Sequence, residues 1–267
     1  MAPPILLIGA GRMGGALLKG WIARGIGPVV AVEPAPSAAL KTLAKKHGVT
    51  VRASADGIDT ARACIVALKP QVLKGQAAAL KPVAQSGALM LSIAAGTSIR
   101  AMRAAWGRDA RVVRAMPNTP GSIGRGITAL FAGAGTLPKD KTLAEQLLAA
   151  LGETVWVRRE ADIDAVTAVS GSGPAYVFLL VEALADAAVA EGLARPLADR
   201  LARATITGAG ALLDAGPAAP AELRRAVTSP HGTTEAALKV LMGRSGLTPL
   251  LRRAVAAARK RARELGG

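Results

Sequence analysis

The segment that most constrains the fold lies near the start of the chain. Four apolar residues, Ile5-Leu6-Leu7-Ile8, run straight into Gly9-Ala10-Gly11-Arg12-Met13-Gly14, and an amphipathic stretch, Met13–Arg24, follows. An apolar run without alternation needs burial on both faces, and a glycine turn followed by a helix supplies the cover for one of them. The three glycines have separate tasks: Gly9 turns the chain, Gly11 lets backbone approach a pyrophosphate, and Gly14 allows close helix–strand packing. The start of the helix, with Arg12 and Met13, then offers free N–H groups and a positive dipole end to phosphate. The order strand, turn, helix therefore predicts a dinucleotide-binding βαβ opening.

The first half keeps that rhythm. Strands are expected at Ile5–Gly9, Val29–Val32, Ala63–Leu68, Ala88–Ile93, Arg111–Ala115, Thr128–Phe131 and Thr154–Val157. Helical patterns such as Met13–Arg24, Ala38–His47 and Ser98–Trp106 lie between them. Strands alternating with helices argue for a mostly parallel, doubly wound sheet of Rossmann type. The breaks at Pro34, Pro36, Pro70, Pro117 and Pro120 fall near strand ends, the edge where such a sheet collects ligands.

After Val157 the strand signal stops. Gly173–Glu191, Leu197–Leu213, Ala221–Val227, Thr233–Leu241 and Thr248–Leu265 all read as helices. The expected division is a dinucleotide-binding domain over 1–158 and an all-helical domain over 159–267. The helix Ala175–Val189 is apolar nearly all round, which requires cover on several sides. So small a helical domain cannot provide it alone, and an intersubunit helix–helix interface is expected. The run Ala175–Ala190 carries Glu182 and Asp186, so it reads as a soluble helix rather than a membrane span.

Composition narrows the function. One cysteine, Cys64, rules out an intrachain disulfide and fits a reducing compartment, and the start lacks the basic region of a secretory signal, so a cytoplasmic protein is expected. The net charge of +16 favours anionic partners, nucleic acid among them. Aromatic residues at 2% are too few for base-stacking platforms, however, and no nucleic-acid motif occurs. An anionic cofactor and an anionic substrate use the same field. Two distant histidines and one cysteine make no metal cluster, so no metal is expected. Gly15-Ala16-Leu17-Leu18-Lys19-Gly20 lacks the ending of a phosphate-binding Walker loop, and the Ser-Gly-Ser-Gly run is out of register for a nucleophile elbow.

Two further motifs, some 60 residues apart, specify the chemistry: Val169–Phe178 (VSGSGPAYVF) and Thr228–Thr234 (TSPHGTT). Each reads as a polar, glycine-bearing turn at the head of a helix, which could be a pair of ordinary N-caps or a carboxylate receptor made of backbone. With the N-terminal fingerprint, these motifs resemble pyrroline-5-carboxylate reductase, and the resemblance runs nearly the whole chain. It implies reduction of a five-membered cyclic imine bearing a carboxylate, by hydride from NAD(P)H, to give L-proline. It further implies a homodimer or a ring of dimers joined through the C-terminal helices.

By the same resemblance, Ser229 and the amides of Gly232, Thr233 and Thr234 hold the carboxylate, and the Thr234 hydroxyl lies near the ring nitrogen. Ser172, Gly173 and Pro174 press the ring toward the nicotinamide, and Glu160 matches a family position near the substrate. A protonated imine is already an electrophile, so no strong acid or base is required. Leu68-Lys69-Pro70 corresponds to a family turn beside the cofactor, and Ala95-Gly96 and Asn118 end the next strands as its floor. The chain departs from the family pattern at His231, where glycine is usual; histidine tolerates a left-handed backbone better than most residues. His231 is counted with the substrate-binding residues, where as a cation it would strengthen carboxylate binding at lower pH unless its side chain turns to solvent.

Cofactor choice turns on Glu33, 24 positions after Gly9. A carboxylate there accepts hydrogen bonds from both ribose hydroxyls of NAD and repels the extra phosphate of NADP. The family often has a small hydroxyl residue instead, so the expectation is NADH. Were Glu33 to turn to solvent, Ser37 or Lys41 would meet that phosphate and NADPH would serve. Two rival readings remain. A β-hydroxyacid reductase of similar build would need a catalytic lysine in the helical domain, where Lys239 is the candidate and lies outside both motifs. A nucleotide-sensing or nucleic-acid-binding protein without catalysis would have no use for both halves of such a site.

Overall fold

A computed structural model describes residues 3–266 and resolves them into two compact units. The first takes in the chain up to Ser172 and again from Ala258 onward; the second is Gly173–Ala257. The expected boundary at 158/159 marks where strands give way to helices, but compact packing continues to Ser172 and recaptures the end of the chain.

In the first unit, eight strands form one sheet: β1 (Ile5–Ile8), β2 (Val29–Val32), β3 (Thr50–Arg52), β4 (Ala63–Val66), β5 (Leu89–Ser92), β6 (Arg111–Met116), β7 (Gly126–Ala132) and β8 (Gly152–Trp156). Their order is β3-β2-β1-β4-β5-β6-β7-β8, and every neighbouring pair is parallel except β6–β7. Strand order reverses between β1 and β4, which opens a crevice at their carboxyl ends.

Helices cover both faces, as the non-alternating strands require. Against one lie α1 (Arg12–Ala23), α2 (Ala38–His47) and α6 (Pro138–Leu148), packing Leu17, Leu18, Trp21, Leu40, Leu147 and Leu148 onto Ile5 and Leu7. Against the other lie α3 (Pro70–Gln76), α4 (Lys81–Gln85) and α5 (Ile99–Trp106), packing Leu73, Val83, Met102 and Trp106 onto Leu6 and Ile8. The two large indoles are wholly buried, and each donates its N–H to a backbone carbonyl: Trp21 to Leu147 at 2.7 Å and Trp106 to Ala77 at 2.9 Å. Cys64 lies in this core, where burial pushes its thiol pKa far up and leaves it inert. The short helix α7 (Asp162–Val166) ends the unit, and the last turns of α12 (Leu247–Gly266) return to it, with Ala262 buried.

The second unit comprises α8 (Gly173–Ala190), α9 (Arg195–Asp214), α10 (Pro220–Ala226), α11 (Thr233–Leu241) and the beginning of α12. Helices α8 and α9 pack on each other, and the fully buried residues of this unit are Ala185, Ala198 and Ala202. Small side chains let two helices approach closely but enclose little apolar surface. Val177, Phe178, Leu179, Leu180 and Leu184 stand exposed on α8, with Phe178 and Leu179 each 62% accessible. Among the described residues the helical run Asp162–Ala190 is long and apolar enough to cross a membrane by length and composition alone.

Two local expectations change. Strand β3 has no counterpart in the sequence reading, because three residues on a sheet edge show no periodicity. The stretch Ser170–Tyr176 is not a polar turn. Thr167–Gly171 forms a π-helical turn that leads from α7 through Ser172 into α8. The serines permit this by turning back on the helix: Ser170 donates to the carbonyl of Val166 at 3.2 Å, and Ser172 donates to that of Thr167 through both N–H, at 2.8 Å, and hydroxyl, at 3.1 Å. Pro174 has no N–H to give, so one rung of an ordinary α-helix is missing here, and a wider turn accommodates the gap.

Candidate active site

The crevice predicted at the end of β1 is present as a cleft of about 600 Å³. Gly11, Arg12, Gly15, Lys19, Glu33 and Ser37 line it, with Ala10 and the apolar Leu40 and Leu43 behind. The glycines behave as the chemistry requires. Gly9 holds φ at +88°, a region side chains avoid, and a Cβ on Gly14 would lie 2.0 Å from the Gly9 carbonyl oxygen. A Cβ on Gly11 would meet nothing within 4 Å, so that backbone faces open space. The amides of Gly11, Arg12, Met13 and Gly14 have no acceptor among the described residues. Of these residues Gly11 and Arg12 line the cleft, and with the helix dipole and the two cations Arg12 and Lys19 they could hold a diphosphate.

Glu33 does not turn to solvent. Its Oε2 accepts the Ala10 N–H at 2.9 Å, and its Oε1 accepts the Ala35 N–H at 3.4 Å. The carboxylate is thus pinned to the cleft wall by the glycine turn itself. Ser37 caps α2, its oxygen accepting from Leu40 N–H at 3.2 Å, and Lys41 does not line the cleft. Lys19 and Ser122 line it although the sequence reading did not assign them to the site. Lys19 follows Arg12, Gly15 and Ala16 at helical spacing and was legible in principle; Ser122 comes from the 3-10 turn Thr119–Ile123 after β6, which only the fold brings near.

The other expected cofactor residues occupy the ends of β4, β5 and β6. Leu68 packs against the second core and the Gly9 turn. Lys69 is exposed and starts α3, with Pro70 in its first turn. Ala95 is half-buried, whereas Gly96 is buried, holds φ at +70°, and lies against the Leu265 backbone. Asn118 uses its side-chain oxygen to accept the Ile127 N–H at 3.0 Å, tying the turn after β6 to β7. Glu160 is also engaged inside the first unit: it accepts the Ile99 N–H at 2.7 Å and pairs with Arg114 at 3.2 Å.

In the second unit, the Thr228–Thr234 motif does form a turn at a helix head. Gly232 is the N-cap of α11, and the amides of Thr233, Thr234 and Glu235 have no acceptor among the described residues. A Cβ on Gly232 would lie 2.4 Å from the Ser229 hydroxyl oxygen, so any larger residue would turn that hydroxyl away. His231 holds φ at +59°, the left-handed conformation expected from its place in the motif, and its side chain is exposed. Its N–H donates to Glu235, whose carboxylate also pairs with Lys239 at 3.1 Å. Ser229, Gly232, Thr233 and Thr234 are therefore brought together. This helix head leaves three amides without an acceptor among the described residues at the positive end of its dipole, with the Ser229 hydroxyl beside Gly232 and the Glu235 carboxylate engaged by His231 N–H.

Comparison with known proteins shows the family to which the chain belongs. Residues 160–265 match the family model described as pyrroline-5-carboxylate reductase dimerisation, and residues 4–96 match the model described as NADP oxidoreductase, coenzyme F420-dependent. The pyrroline-5-carboxylate reductase of Pseudomonas aeruginosa is 40% identical over 98% of this chain and 97% of its own length. That of Pisum sativum is 37% identical over 97% of the chain and 94% of its own. Among solved structures, the Coxiella burnetii pyrroline-5-carboxylate reductase superposes with a TM-score of 0.91 at 36% identity, covering all of both chains. A Plasmodium falciparum pyrroline carboxylate reductase, solved with NADP bound, superposes at 0.82 with 27% identity, covering 99% of this chain and 98% of its own.

Proposed function

Since the chain belongs to the pyrroline-5-carboxylate reductase family, we propose that it divides the work between a cofactor-holding first unit and a carboxylate-holding motif in the second. The chain reduces 1-pyrroline-5-carboxylate to L-proline, the last step of proline biosynthesis, using a nicotinamide cofactor. When bound, the reduced nicotinamide supplies the hydride that the imine carbon accepts.

The observation that carries the residue assignment is the unspent head of α11. A carboxylate settles on the Thr233 and Thr234 amides with the Ser229 hydroxyl, where the helix dipole and charge-assisted bonds favour it. The Thr234 hydroxyl lies toward the ring nitrogen. His231 contributes its backbone shape, and Ser172, Gly173 and Pro174 contribute the shoulder against which the ring is pressed. Catalysis comes from holding the protonated imine in place, since that cation needs no further activation.

In the first unit, the donors from Gly11 to Gly14 hold the pyrophosphate, with Arg12 beside it. Glu33 favours NADH, because a carboxylate fixed by the Ala10 amide accepts ribose hydroxyls and repels a 2′-phosphate. The chain oligomerises through its C-terminal helices, and the bare apolar surface of α8 is what such an interface covers. A dimer, or a ring of dimers, is the assembly we assign.

Thr234→Val and Ser229→Ala test the assignment. Each is expected to raise KM for the imino acid about tenfold while leaving the cofactor Kd, measured without imino acid, unchanged. Unchanged KM in both variants would remove α11 from the site.

A further inference from the structure

We propose that Glu160 and Arg114 are positioning residues that set the loop after β5 for the cofactor, and that Glu160 does not contact the imino acid. The inference rests on the reading of Ala95 and Gly96 as part of the cofactor floor.

Arg114 is the charged residue in the middle of β6, in register with Ser92 of β5, and is only 5% exposed. A guanidinium taken out of water must be matched by charge and hydrogen bonds. Two carboxylates meet it: Glu160 at Nη1, 3.2 Å, and Asp164 at Nη2, 3.4 Å. Its Nε is buried without a partner among the described residues, so these two terminal contacts hold the group.

Glu160 does more than balance the charge. The same Oε1 accepts the N–H of Ile99, the first residue of α5, at 2.7 Å. Ser98 caps the turn that follows, accepting from Ala101 at 3.2 Å. The segment from Ile93 to Ser98 therefore has both ends referred to one residue, Arg114, through its backbone at one end and its side chain at the other. Ser92, at its start, is fixed to Arg114 by strand register; Ile99, at its end, is fixed to Arg114 through Glu160. Within the segment, Gly96 adopts a left-handed φ of +70° and packs on Leu265, so the loop has little freedom to find its shape by other means. Lengthening or cutting the Arg114–Glu160–Ile99 chain moves the loop that carries Ala95 and Gly96.

A cavity of about 350 Å³ adjoins the pair, lined by Gly96, Ser98, Arg114, Glu160, Asp164 and Arg263, among others. Water can enter there when the carboxylate is removed, and Asp164 still faces the guanidinium. Glu160→Ala is thus expected to fold.

The test compares wild type, Glu160→Ala and Glu160→Gln by NADH titration without imino acid and by steady-state kinetics at saturating cofactor. Glu160→Ala is expected to weaken binary NADH binding about tenfold and leave KM for pyrroline-5-carboxylate near wild type. Glu160→Gln keeps an acceptor for Ile99 and loses the charge, so a loss of about threefold is expected. Arg114→Lys, which cannot span both carboxylates, shifts NADH affinity in the same direction. Unaltered NADH binding in Glu160→Ala, with a raised imino-acid KM, would overturn the proposal and make Glu160 a substrate contact. Should Glu160→Ala not fold, Glu160→Gln decides by the same two readouts. A wild type that binds no NADH would fail the cofactor reading itself, whatever the variants do.

Discussion

The two units of this chain solve the problem of apolar surface in opposite ways. The first closes its sheet between two sets of helices, and its largest side chains, Trp21 and Trp106 among them, are wholly buried with their N–H groups satisfied. The second buries three alanines where α8 meets α9 and leaves Phe178, Leu179 and Leu212 each 62% exposed. One is a finished core; the other is half of one. Contiguous apolar surface of that kind marks an interface, and the dimerisation family model covers this region. The chemistry follows the same division. On the assignment we propose, the cofactor residues lie in the unit that closes its own core, whereas the carboxylate-holding residues at α11 lie in the unit that the dimerisation family model covers.

An acid placed on the bare helix would break this comparison most visibly. Phe178→Glu is expected to dissociate the assembly and abolish turnover, since a charge buried in an apolar interface without a partner is prohibitive. Light scattering reads the mass, and cofactor titration should still find a competent first unit. A Phe178→Glu protein with native mass and activity would remove α8 from the interface. The complementary change is Leu18→Ala in the closed core. It is expected to cost about 2–5 kcal/mol in denaturant unfolding, with the native mass retained. A loss well below that range would mean the first core is less tightly packed than its burial indicates.

Much of the first unit was legible in sequence because its constraints are local. The run Ile5–Ile8, the glycine turn and α1 announce themselves within two dozen residues, and the ranges of β2 and α2 coincide with their patterns, as does that of α11 in the second unit. The Thr228–Thr234 motif was legible as a helix head for the same reason. What could not be read depends on distant partners. Ser170-Gly171-Ser172-Gly173 has the composition of a turn, and only the serines' bonds to Val166 and Thr167 turn it into a π-helical step. The pinning of Glu33 by the Ala10 amide needs β2 beside β1. The engagement of Glu160 by Arg114 and Ile99 needs partners 46 and 61 residues away. Nor does the pattern of α12 reveal that its last turns return to the first unit.

The account as a whole is tested most directly by steady-state reduction of pyrroline-5-carboxylate with NADH and NADPH in parallel, by wild type and Glu33→Ser. It predicts turnover with kcat/KM favouring NADH in the wild type, and a shift of about tenfold toward NADPH in the variant. Preference for NADPH in the wild type, unchanged by Glu33→Ser, would contradict the role given to Glu33. Absence of turnover with either cofactor would contradict the reaction itself.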